Sequence, residues 1–497
     1  MLGSLFGLAA PPLDSARVLE LGGASGGNLI PLAALYPDAT FVSVDASTRQ
    51  VAAGWEVIEK LGLKNIDLRH YDIGAIDRGF GEFDYILCHG VFSWVPAQIQ
   101  DRIIEISKRN LAQNGIAYIS YNTYPGWHIR GIVRDILQFR GEQFSDVDER
   151  LRKAKEFVDF LVQSGRPDVS LYTQLLKGEA ELLGKVSDSY IHHEHFEDNN
   201  QPMYFRDFAS KLQVHGLQYL GEADFASMVA GNLAPDVSRA VIDLAGNDIV
   251  QTEQIMDFLR CRFFRQTLAC HRSVALNRNI QADAVRGTWI SASLKSAGAK
   301  VDLGQDVVEQ FGNERGDQIA TGAPVSKAAI AALQASWPLP LPFEELLDQA
   351  VSAVKAAGVG VGDRAALAAQ LAADLLMGFA GGLVRLQAAA PRFVTRPGKK
   401  PRAFALARVL AASGAEVSSL RHENVRLDEL HQNVLKLLDG TRDIDQIQGA
   451  LLELVRSGRI TVRRGDQPID PDEAASVLKE VTSKAIDNLA RLALIEA

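Results

Sequence analysis

Val18-Leu19-Glu20-Leu21 is a short apolar run broken by one acid. Gly22-Gly23-Ala24-Ser25-Gly26-Gly27-Asn28 follows at once, and Leu29, Leu32, Ala33 and Leu35 then recur at helical spacing. This is the pattern of a strand, a glycine-rich turn and a helix. Gly22, Gly23, Gly26 and Gly27 carry no Cβ, so a ligand has access to backbone N–H groups at the start of the helix.

The next acid narrows the ligand. Phe41-Val42-Ser43-Val44 alternates and ends in Asp45, about twenty residues on, where a doubly wound sheet sets a carboxylate against a ribose diol. Nicotinamide and S-adenosylmethionine (SAM) both offer such a ribose. A dinucleotide turn takes Gly-x-Gly-x-x-Gly to seat a pyrophosphate. Here Glu20-x-Gly22-x-x-x-Gly26 puts a carboxylate ahead of the first glycine, which suits an amine and a positive sulfur better than phosphates.

From Val18 to about Phe139 strands and helical patterns alternate, as in a parallel sheet with crossover helices. Strand ends are expected at Glu20, Asp45, Asp72, Cys88 and Tyr121, with helices over Arg49 to Leu61 and Gln98 to Leu111. Ligands in such sheets sit beyond the carboxyl ends of the strands, which places Glu20, Asp45, Asp72, His89 and Asn122 at the site.

Three motifs carry a family resemblance: Leu19 to Pro31, Cys88-His89-Gly90-Val91-Phe92-Ser93-Trp94-Val95-Pro96, and Tyr121-Asn122-Thr123-Tyr124-Pro125-Gly126-Trp127. The chain resembles class I SAM-dependent methyltransferases with a fused methyltransferase regulatory domain. That group includes bacterial protein-lysine methyltransferases acting on outer-membrane proteins. The resemblance implies SAM as cofactor, an amine acceptor such as protein lysine, and a bacterial, cytoplasmic enzyme. It also implies a Rossmann-like α/β domain, a mainly helical middle domain and winged-helix-like C-terminal modules. Tyr190 to Asn199, Pro202 to Phe208, His215 to Leu220 and Gln254 to Leu268 match the regulatory domain. Family members usually have Cys where this chain has Gly23. They also begin with a Tyr-, Pro- and Phe-rich segment, absent ahead of the first strand here, that would act as a lid; an open pocket and low activity are expected without it.

On this reading Glu20 sits near the methionine amine, and Gly22, Gly23, Ser25, Gly26, Gly27 and Asn28 pass beneath the methionine and ribose. Asp45 with Ala46 holds the ribose, Asp72 with Ile73 caps the adenine, and His89 faces the methyl group. Phe92 and Trp94 form an aromatic rim for an alkylammonium. Tyr121, Asn122 and Tyr124 orient the amine. Trp94, Tyr121, Asn122 and Tyr124 are therefore the candidate catalytic residues, although no Asn-Pro-Pro-Tyr motif follows strand four. A non-catalytic scaffold, a small-molecule methyltransferase and a nicotinamide enzyme are the competing readings.

At 497 residues the chain is too long for one core. Its net charge of −9 argues against nucleic acid as partner, and the basic run from Arg392 to Arg402 reads as a solvated linker. Cys88, Cys261 and Cys270 are too scattered for a disulfide framework, so a reducing compartment is expected. The N-terminus lacks a basic n-region, and Pro11-Pro12 cuts short any signal core. Gln370 and Asp374 make Ala365 to Val384 a packed helix rather than a membrane span. His192, His193, Glu194 and His195 lack metal-ligand spacing, and no metal is assigned. Residues 329–386 and 430–496 echo each other as helix, turn, helix, helix and strand. The expected domains are 1–140 (SAM-binding), 141–320 (helical regulatory, with a candidate homodimer interface), 321–395 (winged-helix-like) and 396–497 (a second such module). Without a basic recognition helix, these modules read as interaction modules rather than DNA readers.

Overall fold

The computed structural model describes the chain except residues 167–169, 299, 462, 465, 466 and 469. Contacts group it into two compact units, one of Met1–Arg17, Gly23–His70 and Leu276–Ala497, the other of Val18–Gly22 and Tyr71–Ala275. Strands β1 (Arg17–Leu21), β2 (Thr40–Asp45), β3 (Ile66–His70), β4 (Phe83–Cys88), β5 (Leu111–Asn122), β6 (Leu217–Glu222) and β7 (Phe264–His271) form one sheet in the order β3-β2-β1-β4-β5-β7-β6. Their apolar positions are the core: Leu19, Leu21, Phe41, Val44 and Phe83 are almost wholly buried, each stabilising the fold by about 1.5–3 kcal/mol.

The parallel pairs β2–β3, β1–β4 and β4–β5 arise from the alternation of strands and helices. The middle region is mainly helical, as expected, and lends the other two strands to this sheet, β7 pairing antiparallel with both β5 and β6. Leu217 to Glu222 and Phe264 to His271 thus complete the seven-stranded sheet. Helices Gly126–Gly141, Val147–Ser164, Leu171–Leu183 and Asp188–Phe196 pack around Val133, Leu137, Leu151, Val158, Leu176 and Ile191. Asp146, Ser170 and Ser187 cap three of these helices with their side chains, at about 1 kcal/mol per cap.

In the other unit, β8 (Trp289–Ser291), β12 (Leu341–Pro342) and β13 (Arg385–Gln387) form a small antiparallel sheet, and β9 (Lys295–Ser296), β10 (Glu309–Gly312) and β11 (Gln318–Thr321) form another. They accompany the helices Pro324–Ser336, Phe343–Ala356 and Arg364–Ala380, whose buried faces include Leu333, Phe343, Leu346, Leu347, Leu371 and Leu375. The last of these helices stops at Ala380 instead of running to Val384. Gly382 at φ +72° turns the chain into β13 there. The C-terminal module has the hairpin β14 (Glu416–Ser418) and β15 (Asn424–Arg426) with helices Ala405–Ala411, Glu429–Leu437, Ile444–Arg456 and Pro471–Arg491. Among the described residues no helix is long and apolar enough to cross a membrane. Arg396, Lys399 and Lys400 are exposed, whereas Arg392 pairs with Asp14 at 2.7 Å.

Candidate active site

In the unit holding β2, the chain bends through Ala24 at φ +47° and Gly26 at φ +76° before the helix Leu29–Leu35. Asp45 at the end of β2 governs this bend. Its Oδ2 accepts the Ala24 N–H and its Oδ1 the Ser47 N–H, both at 2.8 Å. Both carboxylate oxygens are thereby aimed, and each keeps a further lone pair for a hydroxyl. Gly54, on the helix Thr48–Leu61, lies directly under the turn. A Cβ there would come within 2.6 Å of the Ser25 carbonyl oxygen, so the close approach of helix and turn requires glycine. A Cβ on Gly27 would meet nothing within 4 Å, and Ala46 is exposed beside Asp45.

In the other unit, Glu20 is buried on β1 at 4 % exposure. Burial pushes the neighbouring Cys88 thiol up to about 12, and the Glu20 charge adds to it. Gly22 takes φ +76°, and a Cβ there would strike Val91 Cγ2 at 2.3 Å. The loop after β4 therefore presses on this glycine. Asp72 Oδ1 accepts the Gly74 N–H at 2.8 Å and so caps the turn that begins at Ile73. Arg102 pins that turn through the carbonyls of Gly74 and Ile76. His89 Nδ1 lies 2.8 Å from the Tyr118 hydroxyl, whose pKa burial raises to about 12. The Gly90 N–H donates to Ser120 Oγ at 2.9 Å, and the space beside Gly90 is open.

The end of β5 separates two residues read together from the sequence. Asn122 is buried at the strand end. Its N–H donates to Ser93 Oγ at 2.8 Å and its Nδ2 to Asn200 Oδ1 at 3.0 Å. Tyr121 points to the opposite face, as successive strand residues must. It is 1 % exposed, stacks on Phe208 at 4.1 Å and accepts a hydrogen bond from the Thr267 hydroxyl. Burial raises its hydroxyl pKa well above the ordinary value. Tyr121 is a core residue, which corrects its place among the catalytic candidates. Phe92 is likewise core, edge-on to Tyr121 and Phe208.

Trp94 stands between Trp127 and His193, with ring centroids 6.1 and 4.9 Å away. Tyr124 stacks on His128 at 4.0 Å and lies 5.3 Å from Tyr204. His128 Nε2 is 3.2 Å from the Tyr204 hydroxyl. Asn200 and Tyr204 were missed by the sequence reading. They arrive on an extended segment anchored to the loop after β5, where Thr123 Oγ1 and the Tyr124 N–H both donate to the Met203 carbonyl. Their signal was the aperiodic polar and aromatic run Asn199 to Tyr204 between two helical patterns. Among the described residues, no group of three His, Cys, Asp or Glu is placed to hold a metal.

Three family models match the chain: a methyltransferase domain over residues 13–162, a predicted methyltransferase regulatory domain over 187–271, and the PKMT C-terminal winged helix domain over 399–494. Protein RP789 of Rickettsia prowazekii is 35% identical over 488 residues, which are 97% of this chain and 87% of that one. The chain belongs to this methyltransferase family. A second R. prowazekii protein, RP028, is 38% identical over 212 residues, covering 43% of this chain and 85% of its own. The structure of PKMT2 from Rickettsia typhi in complex with AdoHcy superimposes with a TM-score of 0.89 at 28% identity, covering 99% of this chain and 96% of that one.

This methyltransferase uses SAM as its cofactor, and the nicotinamide and scaffold readings are set aside. Its residues fit such a ligand. In the unit of β2, Asp45 is a carboxylate with both oxygens oriented and the backbone at Gly27 is open.

Proposed function

We propose that the methyltransferase acts on a lysine side chain of a protein. When bound, SAM supplies a methyl group made electrophilic by a positive sulfur. In this reading Glu20 holds the methionine amine, Gly22 to Asn28 line the methionine and ribose, and Asp45 beside Ala46 takes the ribose hydroxyls. Asp72 and Ile73 cap the adenine, and His89 with Gly90 borders the methyl end. Asn122, fixed by Asn200, offers an amide to the acceptor nitrogen. Tyr124, with its ring stacked on His128, and Tyr204 are aromatic surfaces suited to an alkylammonium, and Trp94 extends them.

The observation that carries this reading is the anchoring of Asn200 to Tyr204 on the loop after β5. It supplies an amide and an aromatic wall beside the strand end where class I sheets bind their substrates. The likeness to PKMT2 along nearly the full chain supports the same class of acceptor. Incubation of bacterial envelope and cytosolic fractions with tritiated-methyl SAM should label protein, and acid hydrolysis should return the label as methyllysine. Label confined to small molecules would replace the protein acceptor by a metabolite.

The assembly we infer is a homodimer through the helices of residues 147–196. Phe160, Leu171, Tyr172, Leu182 and Tyr190 are exposed there, Leu171 by 82%, apolar side chains of the kind that association covers. Sedimentation equilibrium should give a dimer for the wild type and a monomer for Leu171→Glu/Tyr172→Glu. A monomeric wild type would rule the interface out.

A further inference from the structure

The tip of the β14–β15 hairpin is fastened on two sides. Ser419 is fully buried, its N–H donates to the Glu423 carbonyl at 2.9 Å, and the His422 N–H returns to the Ser419 carbonyl at 3.0 Å. Glu423 accepts from Arg421 at 2.6 Å and from Arg385 at 3.1 Å. Both guanidinium groups flank the ring of Trp337, at 5.6 and 5.7 Å. The hairpin is thus locked to the preceding module. The helix Ala405–Ala411 of the same winged helix packs on Thr48–Leu61 and Leu29–Leu35, the helices on either side of β2.

Between the two clamped residues stands His422, held at φ +59°. That left-handed conformation carries a steric cost for any residue with a Cβ, one that glycine would avoid. Its side chain reaches out of the module: His422 Nε2 lies 2.8 Å from Asn28 Oδ1. An amide oxygen only accepts, so the imidazole donates from Nε2 and fixes both the plane of the Asn28 amide and the end of it that donates. Asn28 is the last residue of the glycine-rich turn and the N-cap of the helix that follows.

The geometry points to His422 as a positioning residue of the cofactor site: the C-terminal winged helix completes that site by holding the Asn28 amide in register for SAM. This rests on the reading that Gly22 to Asn28 line the cofactor. A hydrogen bond of this kind accounts for a five- to tenfold change in affinity.

Calorimetric titration of the full chain with SAM and S-adenosylhomocysteine tests the assignment. His422→Ala should raise both dissociation constants five- to tenfold with the melting temperature nearly unchanged. His422→Gln, which shares the same backbone strain but keeps a donor of similar reach, should return them to within threefold of wild type. Asn28→Ala/His422→Ala should bind no more weakly than Asn28→Ala alone. If His422→Ala binds within twofold of wild type, if glutamine is as weak as alanine, or if the double variant shows the product of the single effects, His422 does not act through Asn28. Asp45→Ala in the same titration keeps the two levels apart. If Asp45→Ala weakens SAM while His422→Ala does not, only this assignment falls; if neither does, the cofactor reading falls with it.

Discussion

Asp45→Ala should weaken SAM binding about a hundredfold. A ribose diol donates two hydrogen bonds to a carboxylate, each worth about 1.5 kcal/mol when the acceptor is charged, and together these give two orders of magnitude. The residue also orders the turn, because the Ala24 and Ser47 N–H groups both end on its oxygens. Removing it therefore loosens the peptide beneath the cofactor as well as deleting its partner. Asp45→Asn separates the two roles, since one oxygen is retained and the other becomes a donor facing an N–H. It should bind about tenfold more tightly than the alanine variant and about tenfold more weakly than wild type. Calorimetry with S-adenosylhomocysteine checks both without an acceptor. A dissociation constant for Asp45→Ala within threefold of wild type would remove the carboxylate from the site.

What the sequence revealed of this site is what is local in it. The turn and Asp45 are each marked by residues within a few positions of one another: glycines where the backbone bends, and an acid closing an apolar run. The helix after the turn and the strands β1, β2 and β4 followed from the same short-range pattern. Parity along a strand is also local, but its phase is set by what packs on each face. Tyr121 and Asn122 looked equivalent until Phe208 and Thr267 claimed one side. The strands β6 and β7 were hidden because their partners are distant in sequence: Tyr121 pairs with Arg265, and Leu217 with His271. Asn200, Tyr204 and His422 were illegible for the same reason. Asn200 reaches Asn122 across 78 residues and His422 reaches Asn28 across 394, separations on which periodicity and turn chemistry are silent. Gly54 falls between these cases, since a glycine inside a strong helical pattern signals a close neighbour without naming it.

Arg265→Met should be the most destabilising single change in the regulatory half of the fold, at about 3–5 kcal/mol. Arg265 on β7 is wholly buried and is the hub of an ionic cluster. Its guanidinium donates to Glu222 at 2.8 Å, to Glu253 at 3.0 Å and to both oxygens of Asp257 at 2.8 and 2.9 Å, with Phe205 beneath it at 3.9 Å. Arg262 adds a contact to Asp257 at 3.1 Å. Three carboxyl groups thus share two guanidinium groups, and burial pushes the Glu253 carboxyl up to about 7. Methionine fills similar space without charge, so the variant leaves Glu253 and Asp257 facing Arg262 and takes the guanidinium away from Glu222. The sign of the pH dependence follows. A carboxyl raised above its unfolded value binds more protons in the fold, so its contribution is complete below about 4.5 and is lost as pH rises through about 7. Without Arg265, Glu253 and Asp257 lose the charge that draws their carboxyls down, so the penalty should be smallest near pH 5, where these two accept protons, and largest near pH 8. Hydrogen exchange of the β6 and β7 amides at the two pH values measures this directly. Equal protection of variant and wild type at pH 8 would show that the cluster does not hold these strands on the sheet.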